Sequence, residues 1–169
     1  EGYNNWAHCP HGTSGEYFVD EQVRLLDSSS SNNEGLKGLD GLNLIRNKLL
    51  ENKASIRLIG LSGVGKTRFV QALFDERIGE NPLPYKAVFY TDMANGPKPT
   101  PQALAEKIAG EGRKAILIID NCPPDLHRSL TTLCSTESSN TNLLTVEYDL
   151  REDQPEQTEV FSLEPSSIE

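Results

Sequence analysis

The chain has 169 residues, a formal net charge of -9 from 25 acidic and 16 basic side chains, and three cysteines. This length suits one domain with a real core, about the size of a single mononucleotide-binding unit, and the acidic balance argues against a nucleic-acid surface on this segment. Cys9, Cys122 and Cys134 are odd in number and irregular in spacing, which reads as reduced thiols in a cytoplasmic protein and not as a disulfide framework.

No apolar stretch approaches a membrane span and no signal peptide is visible, so no membrane binding is indicated. The chain starts at Glu1 without Met and ends in a polar stretch at Glu169, and it is read as a segment of a larger protein. Residues 1–16 are polar and lack periodicity. Within them, His8, Cys9 and His11 lack the second ligand pair that a zinc finger needs, so they are read as an exposed terminal segment. Tyr17–Val19 and Val23–Leu26 fit a helix or a strand equally well. The Ser/Asn run from Ser28 to Asn33 reads as a flexible connection, which gives an extension over residues 1–34 and a domain over 35–169.

Leu42, Ile45, Leu49 and Leu50 follow helical spacing, and Ile56, Leu58 and Ile59 form the short run of a strand buried on both faces. The chemistry starts directly after that strand. Gly60-Leu-Ser-Gly63-Val-Gly65-Lys66-Thr67 is a complete G-x-x-x-x-G-K-[ST] phosphate loop between a strand and a helix-like segment. Its backbone N–H groups would turn inward on phosphates, helped by the positive end of the following helix. Lys66 would neutralise the phosphates, and the Thr67 hydroxyl would ligate Mg²⁺. Phe69, Val70, Leu73, Phe74 and Ile78 share one helical face, which predicts a helix running to a stop at Gly79.

Four more strands are predicted, over 87–91, 115–119, 143–146 and 160–163. Between them lie a helix with Thr100 as N-cap and Pro101 at its first position, and another over 125–134. Strands alternating with helices in this way mean βαβ units, so the fold class is α/β with a parallel sheet covered on both faces. Ala115-Ile-Leu-Ile-Ile119 ends in Asp120, an acid at the carboxyl end of a buried strand, where it faces the ligand crevice and can hold Mg²⁺. The next residue is Asn121, where hydrolytic proteins with this loop usually carry a second acid to polarise water. An amide can orient water and cannot take its proton, so binding is better supported than turnover.

Gly60 to Arg68 (GLSGVGKTR), Ala115 to Asn121 (AILIIDN) and Val160 to Ser166 (VFSLEPS) together resemble the STAND class of signal-transduction NTPases, which includes NACHT and NB-ARC domains. The resemblance covers about residues 36 to 166, and the bacterial regulators and defence proteins of the class often read GKTR at the loop, as this chain does at Gly65 to Arg68. It implies a three-layer fold with a five-stranded parallel sheet of order 5-1-4-3-2, and ATP or ADP with Mg²⁺ as cofactors. The nucleotide-binding residues it implies are Gly60, Ser62, Gly63, Val64, Gly65, Lys66, Thr67 and Arg68, with Thr67 and Asp120 on the metal. Lys66, Asp120, Asn121 and Arg151 are the catalytic candidates, Arg151 as the γ-phosphate sensor. The family's adenine-contacting Gly-Arg motif corresponds to Leu36-Lys37-Gly38-Leu39, which lacks the Arg and leaves Leu36, Gly38 and Leu39 as base contacts. Expected partners are the nucleotide, other domains of the same chain and, in the full-length protein, further copies in a homo-oligomer. A small-molecule kinase using the same loop, or a scaffold with a vestigial site, are the alternative readings.

Overall fold

The computed structural model describes residues 23–29, 34–147 and 157–166. Among them are seven strands, β1 (Val23–Asp27), β2 (Leu36–Lys37), β3 (Ser55–Ile59), β4 (Val88–Asp92), β5 (Ala115–Asp120), β6 (Thr141–Glu147) and β7 (Glu159–Pro165). Four helices accompany them, α1 (Gly38–Leu49), α2 (Lys66–Ala72), α3 (Pro101–Gly110) and α4 (Pro124–Cys134). All seven strands join one sheet in the order β2-β1-β7-β3-β6-β5-β4. The pairs from β7 through β3, β6 and β5 to β4 are parallel, whereas β1 pairs antiparallel with both β7 and β2.

The α/β class expected from the sequence is therefore observed, but the sheet is a mixed one of seven strands and not a parallel one of five. The difference lies in β1 and in β2, which pairs with it; the β1 residues fit helix or strand in sequence and become a strand because β7 offers them a free edge. β1 also lies ahead of residue 35, so the sheet begins in what the sequence reads as an extension.

Alternation along the strands divides the core in two. Ile56 and Leu58 of β3, Ile116 and Ile118 of β5, and Leu144 and Val146 of β6 face α1 and α2, where Leu42, Ile45, Phe69 and Val70 cover them. Leu117, Ile119 and Leu143 face the other way, under Ala105 of α3 and Leu126 and Leu130 of α4. Thr100 caps α3 as its sequence predicts, its hydroxyl accepting the Ala103 N–H.

The helix after the phosphate loop is shorter than its apolar spacing predicts. It stops at Ala72, although Phe74 and Ile78 beyond it are still buried. The cause is Arg46, a fully buried residue of α1. Its Nε donates to the Leu73 carbonyl at 2.9 Å, Nη2 to Ala72 and Asp75, and Nη1 to Ile78 and Glu80. All five guanidinium N–H groups are thus spent on five backbone carbonyls. The amides of Leu73, Phe74 and Asp75 meanwhile bond three residues back, and the chain tightens out of α-helical geometry. Gly79 completes the turn at φ 63°, where a Cβ would lie 2.9 Å from Arg46 Nη1.

Replacing Arg46 with Met should leave these buried carbonyls unpaired and cost at least about 3 kcal/mol, with Arg46→Lys intermediate because it keeps fewer donors. Urea unfolding of the three proteins measures this. Parental stability in Arg46→Met would show that the carbonyls find other partners.

Candidate functional site

The carboxyl ends of β3, β4, β5 and β6 meet at a cleft of about 410 Å³. The phosphate loop, residues 60–67, forms one wall. Gly60 leaves β3 so close to β7 that a Cβ would sit 2.5 Å from the Leu163 carbonyl oxygen, so the loop can start only with glycine. A Cβ at Gly63 or Gly65 would meet nothing within 4 Å, so the space beside the loop is open. Lys66 begins α2 and its Nζ donates to the carbonyls of Gly60 and Leu61, both at 2.7 Å. Burial pushes its pKa below the usual lysine value, and Asp120 and Glu147 act against that shift.

Across the cleft, Thr67 Oγ1 donates to Asp120 Oδ2 at 2.7 Å, and the Tyr90 hydroxyl donates to the same oxygen at 3.0 Å. Asp120 Oδ1 accepts the Asn121 N–H at 3.0 Å. Asn121 stands in the left-handed region at φ 52°, a conformation Asn tolerates better than most residues. Its Nδ2 donates to Asp92 Oδ1 at 2.8 Å, the same oxygen that accepts the Ala94 N–H. The amide is therefore a strut between the ends of β4 and β5.

Arg68 follows Thr67 and lines the same cleft, and its Nε and Nη2 are buried without a hydrogen-bond partner. A guanidinium left in that condition is costly, and the Asp75 carboxylate, which Arg68 helps to hold below its ordinary pKa, offers it a nearby opposite charge. The hydroxyl and carboxylate oxygens of Thr67 and Asp120 are the hard donors that a divalent cation prefers. The residues present thus fit a polyphosphate with a hard cation.

Of the residues singled out in sequence, Ser62, Gly63, Gly65, Lys66, Thr67, Arg68, Asp120 and Asn121 line this cleft together. Gly60 contributes its carbonyl to Lys66, and Val64 packs on the core beneath the loop. Leu36 on β2 and Gly38 and Leu39 at the start of α1 lie outside the cleft lining. Arg151, His8, Cys9 and His11 lie outside the described residues. Among the described residues, no group of three or more His, Cys, Asp or Glu could hold a metal, and no helix is long and apolar enough to cross a membrane. Cys122 and Cys134 are buried, and burial pushes their thiols up to about 12 and about 11, so neither is a reactive thiolate.

Sequence reasoning missed Tyr90, Asp92 and Glu147, each at or near the end of a parallel strand and each lining the cleft. The rule that ligands sit beyond the carboxyl ends of such strands could have found all three. No family model matches the chain, and a comparison with curated proteins finds no match.

The strut makes a prediction. Asn121→Asp would bring a second carboxylate to the position 2.8 Å from Asp92 Oδ1 and should cost about 1 kcal/mol at pH 7. Repulsion raises the new carboxyl's pKa in the folded state, so the deficit should shrink as pH falls through the carboxylate range. Urea unfolding of variant and parent at pH 7 and pH 4 reads the difference, and a deficit that grows in acid would rule out the repulsion.

Proposed function

We propose that this chain is the ATP-binding, Mg²⁺-dependent nucleotide switch domain of a multidomain STAND-class signalling or defence ATPase, with slow hydrolysis. The observation that carries the reading is the convergence of Lys66, Thr67 and Asp120 in one cleft, with Thr67 Oγ1 2.7 Å from Asp120 Oδ2. Strand order supports it as well. Counted from the phosphate-loop strand, the parallel run β7-β3-β6-β5-β4 reads 5-1-4-3-2, as in that class.

In this reading the loop amides and Lys66 bind the β- and γ-phosphates, and Arg68 supplies a further cation. Mg²⁺, held by Thr67 and Asp120, would neutralise phosphate charge. Tyr90 and the Asn121 N–H hold the Asp120 carboxylate in place, so that a hydroxyl and a carboxylate are presented together. A bound γ-phosphate would hold an arrangement of neighbouring domains that hydrolysis releases. Those groups come from outside the cleft described here, and turnover by this chain alone should fall far below the ~1 s⁻¹ lower end of typical enzymes.

Lys66→Ala should weaken ATP binding on the order of 100-fold, the loss of one charge-assisted contact to phosphate, with the thermal midpoint little changed. Asp120→Asn should remove most of the dependence of that affinity on Mg²⁺. Calorimetric titration of ATP with and without chelator measures both. Unchanged affinity in Lys66→Ala would sink the phosphate-loop assignment, and an unchanged ratio in Asp120→Asn would leave Asp120 as a strand-end acceptor only.

A further inference from the structure

β3 leads into the phosphate loop and all five of its residues are buried, yet its middle residue is Arg57. A buried guanidinium is costly unless its donors find acceptors in good geometry. Arg57 Nη1 donates to Thr145 Oγ1 and Nη2 to the Cys122 carbonyl, both at 3.1 Å. The Glu147 carboxylate stands beside it, with Oε2 4.0 Å from Nη2. A buried cation is thus anchored on β6 and on the turn after β5, beside a carboxylate on the rim.

Glu147 is the last residue of β6, the strand between β3 and β5. Register places it level with Ile59, immediately before Gly60, while Thr145 is level with Ile119, immediately before Asp120. Glu147 therefore stands between the start of the phosphate loop and Asp120, and it lines the same cleft as Lys66 and Asp120. Its side chain is 21% exposed, so water reaches it. Lys66 feels its charge along with that of Asp120.

Each acid of the cleft has partners of its own, Glu147 among them through Arg57. Asp120 accepts from Thr67, Tyr90 and the Asn121 amide, and Asp92 from Asn121 and Ala94. Asn121 has no basic atom to offer.

We propose that Glu147, positioned by Arg57, accepts the proton of the water that attacks the terminal phosphate. The inference rests on the nucleotide reading given above. The water oxygen forms a bond to the γ-phosphorus while its proton passes to a Glu147 carboxylate oxygen, and the bond between the γ-phosphorus and the β–γ bridging oxygen breaks. That oxygen keeps the electron pair and leaves with ADP. The Glu147 carboxylic acid then returns its proton to solvent, so the balance is ATP and water to ADP, phosphate and a proton. Arg57 is a positioning residue. It touches neither water nor phosphate.

The test compares Glu147→Gln with the unmodified chain in Mg²⁺ buffer, by single-turnover phosphate release and by calorimetric affinities for ATP and for ADP. The glutamine keeps size and an acceptor for Arg57 and loses only basicity and charge. Phosphate release should fall about 100-fold, the usual contribution of a positioned general base. The ratio of ATP to ADP affinity should rise several-fold, because a negative charge beside the terminal phosphate has been removed, a change that a purely structural role would not produce. Parental phosphate release in Glu147→Gln overturns the proposal, while ATP binding that Lys66→Ala weakens leaves the phosphate-loop reading intact. An unmodified chain that binds ATP but releases phosphate no faster than the uncatalysed reaction also overturns it. Failure of the unmodified chain to bind either nucleotide overturns both.

Discussion

One guanidinium with five carbonyls, Arg46 on the stretch from Ala72 to Glu80, fixes where the helix of the phosphate loop ends and how the chain returns from it. The buried cation is stable here because five carbonyl dipoles replace its hydration. The carbonyls gain as well, since a chain that leaves helical geometry while still buried would strand its acceptors. Because α1 supplies the arginine, α1, α2 and the following loop are set as one unit against the sheet. The loop glycines and Lys66 therefore start from a rigid base.

The opposite face of the sheet uses polar groups differently. Arg57, Thr145, His127, Thr158, Thr131 and Ser55 form a chain of hydrogen bonds from the cleft rim into the layer under α4, with His127 bonded to Thr145 at 2.7 Å and to Thr158 at 2.8 Å. Burial first, then the nearby charges of Arg57 and Arg128, holds His127 down at about 4. At neutral pH the imidazole adds no second cation to the layer that already contains Arg57. A network so fully satisfied locks side chains that an apolar layer would allow to repack, and it ends at Glu147.

How much of this the sequence discloses depends on how local the cause is. The phosphate loop, the apolar run into Asp120, and Thr100 with Pro101 at the head of α3 were all readable, because each is set by residues within a few positions of one another. The end of α2 was not. Its apolar spacing continues to Ile78, and the residue that interrupts the helix lies 26 positions or more away in α1. Arg57 escaped for a similar reason, since a charged residue inside SIRLI looks like a break in a buried strand until Cys122, Thr145 and Glu147 come in from other elements. The strand at Val23–Asp27 depended on β7, more than a hundred residues on. Asn121 reads in sequence as a residue that cannot accept a proton, and its hydrogen bond to Asp92 adds a mechanical role that no local pattern reveals.

The ends of three neighbouring parallel strands each deliver one acid to the cleft, Asp92 from β4, Asp120 from β5 and Glu147 from β6. Lys66 and Arg68 face them from the loop and its helix, and Arg57 from below. Acids and bases are matched in number, so the cleft has little spare positive charge with which to receive an anion. On the proposed reading, an entering polyphosphate brings several negative charges into a site that already holds three acids. A divalent cation at the Thr67 and Asp120 oxygens would remove that conflict twice over, by relieving the acids and by neutralising the phosphates. The metal would then be a condition of tight binding and not only an aid to chemistry, which follows from having three acids where an anion site would ordinarily have few.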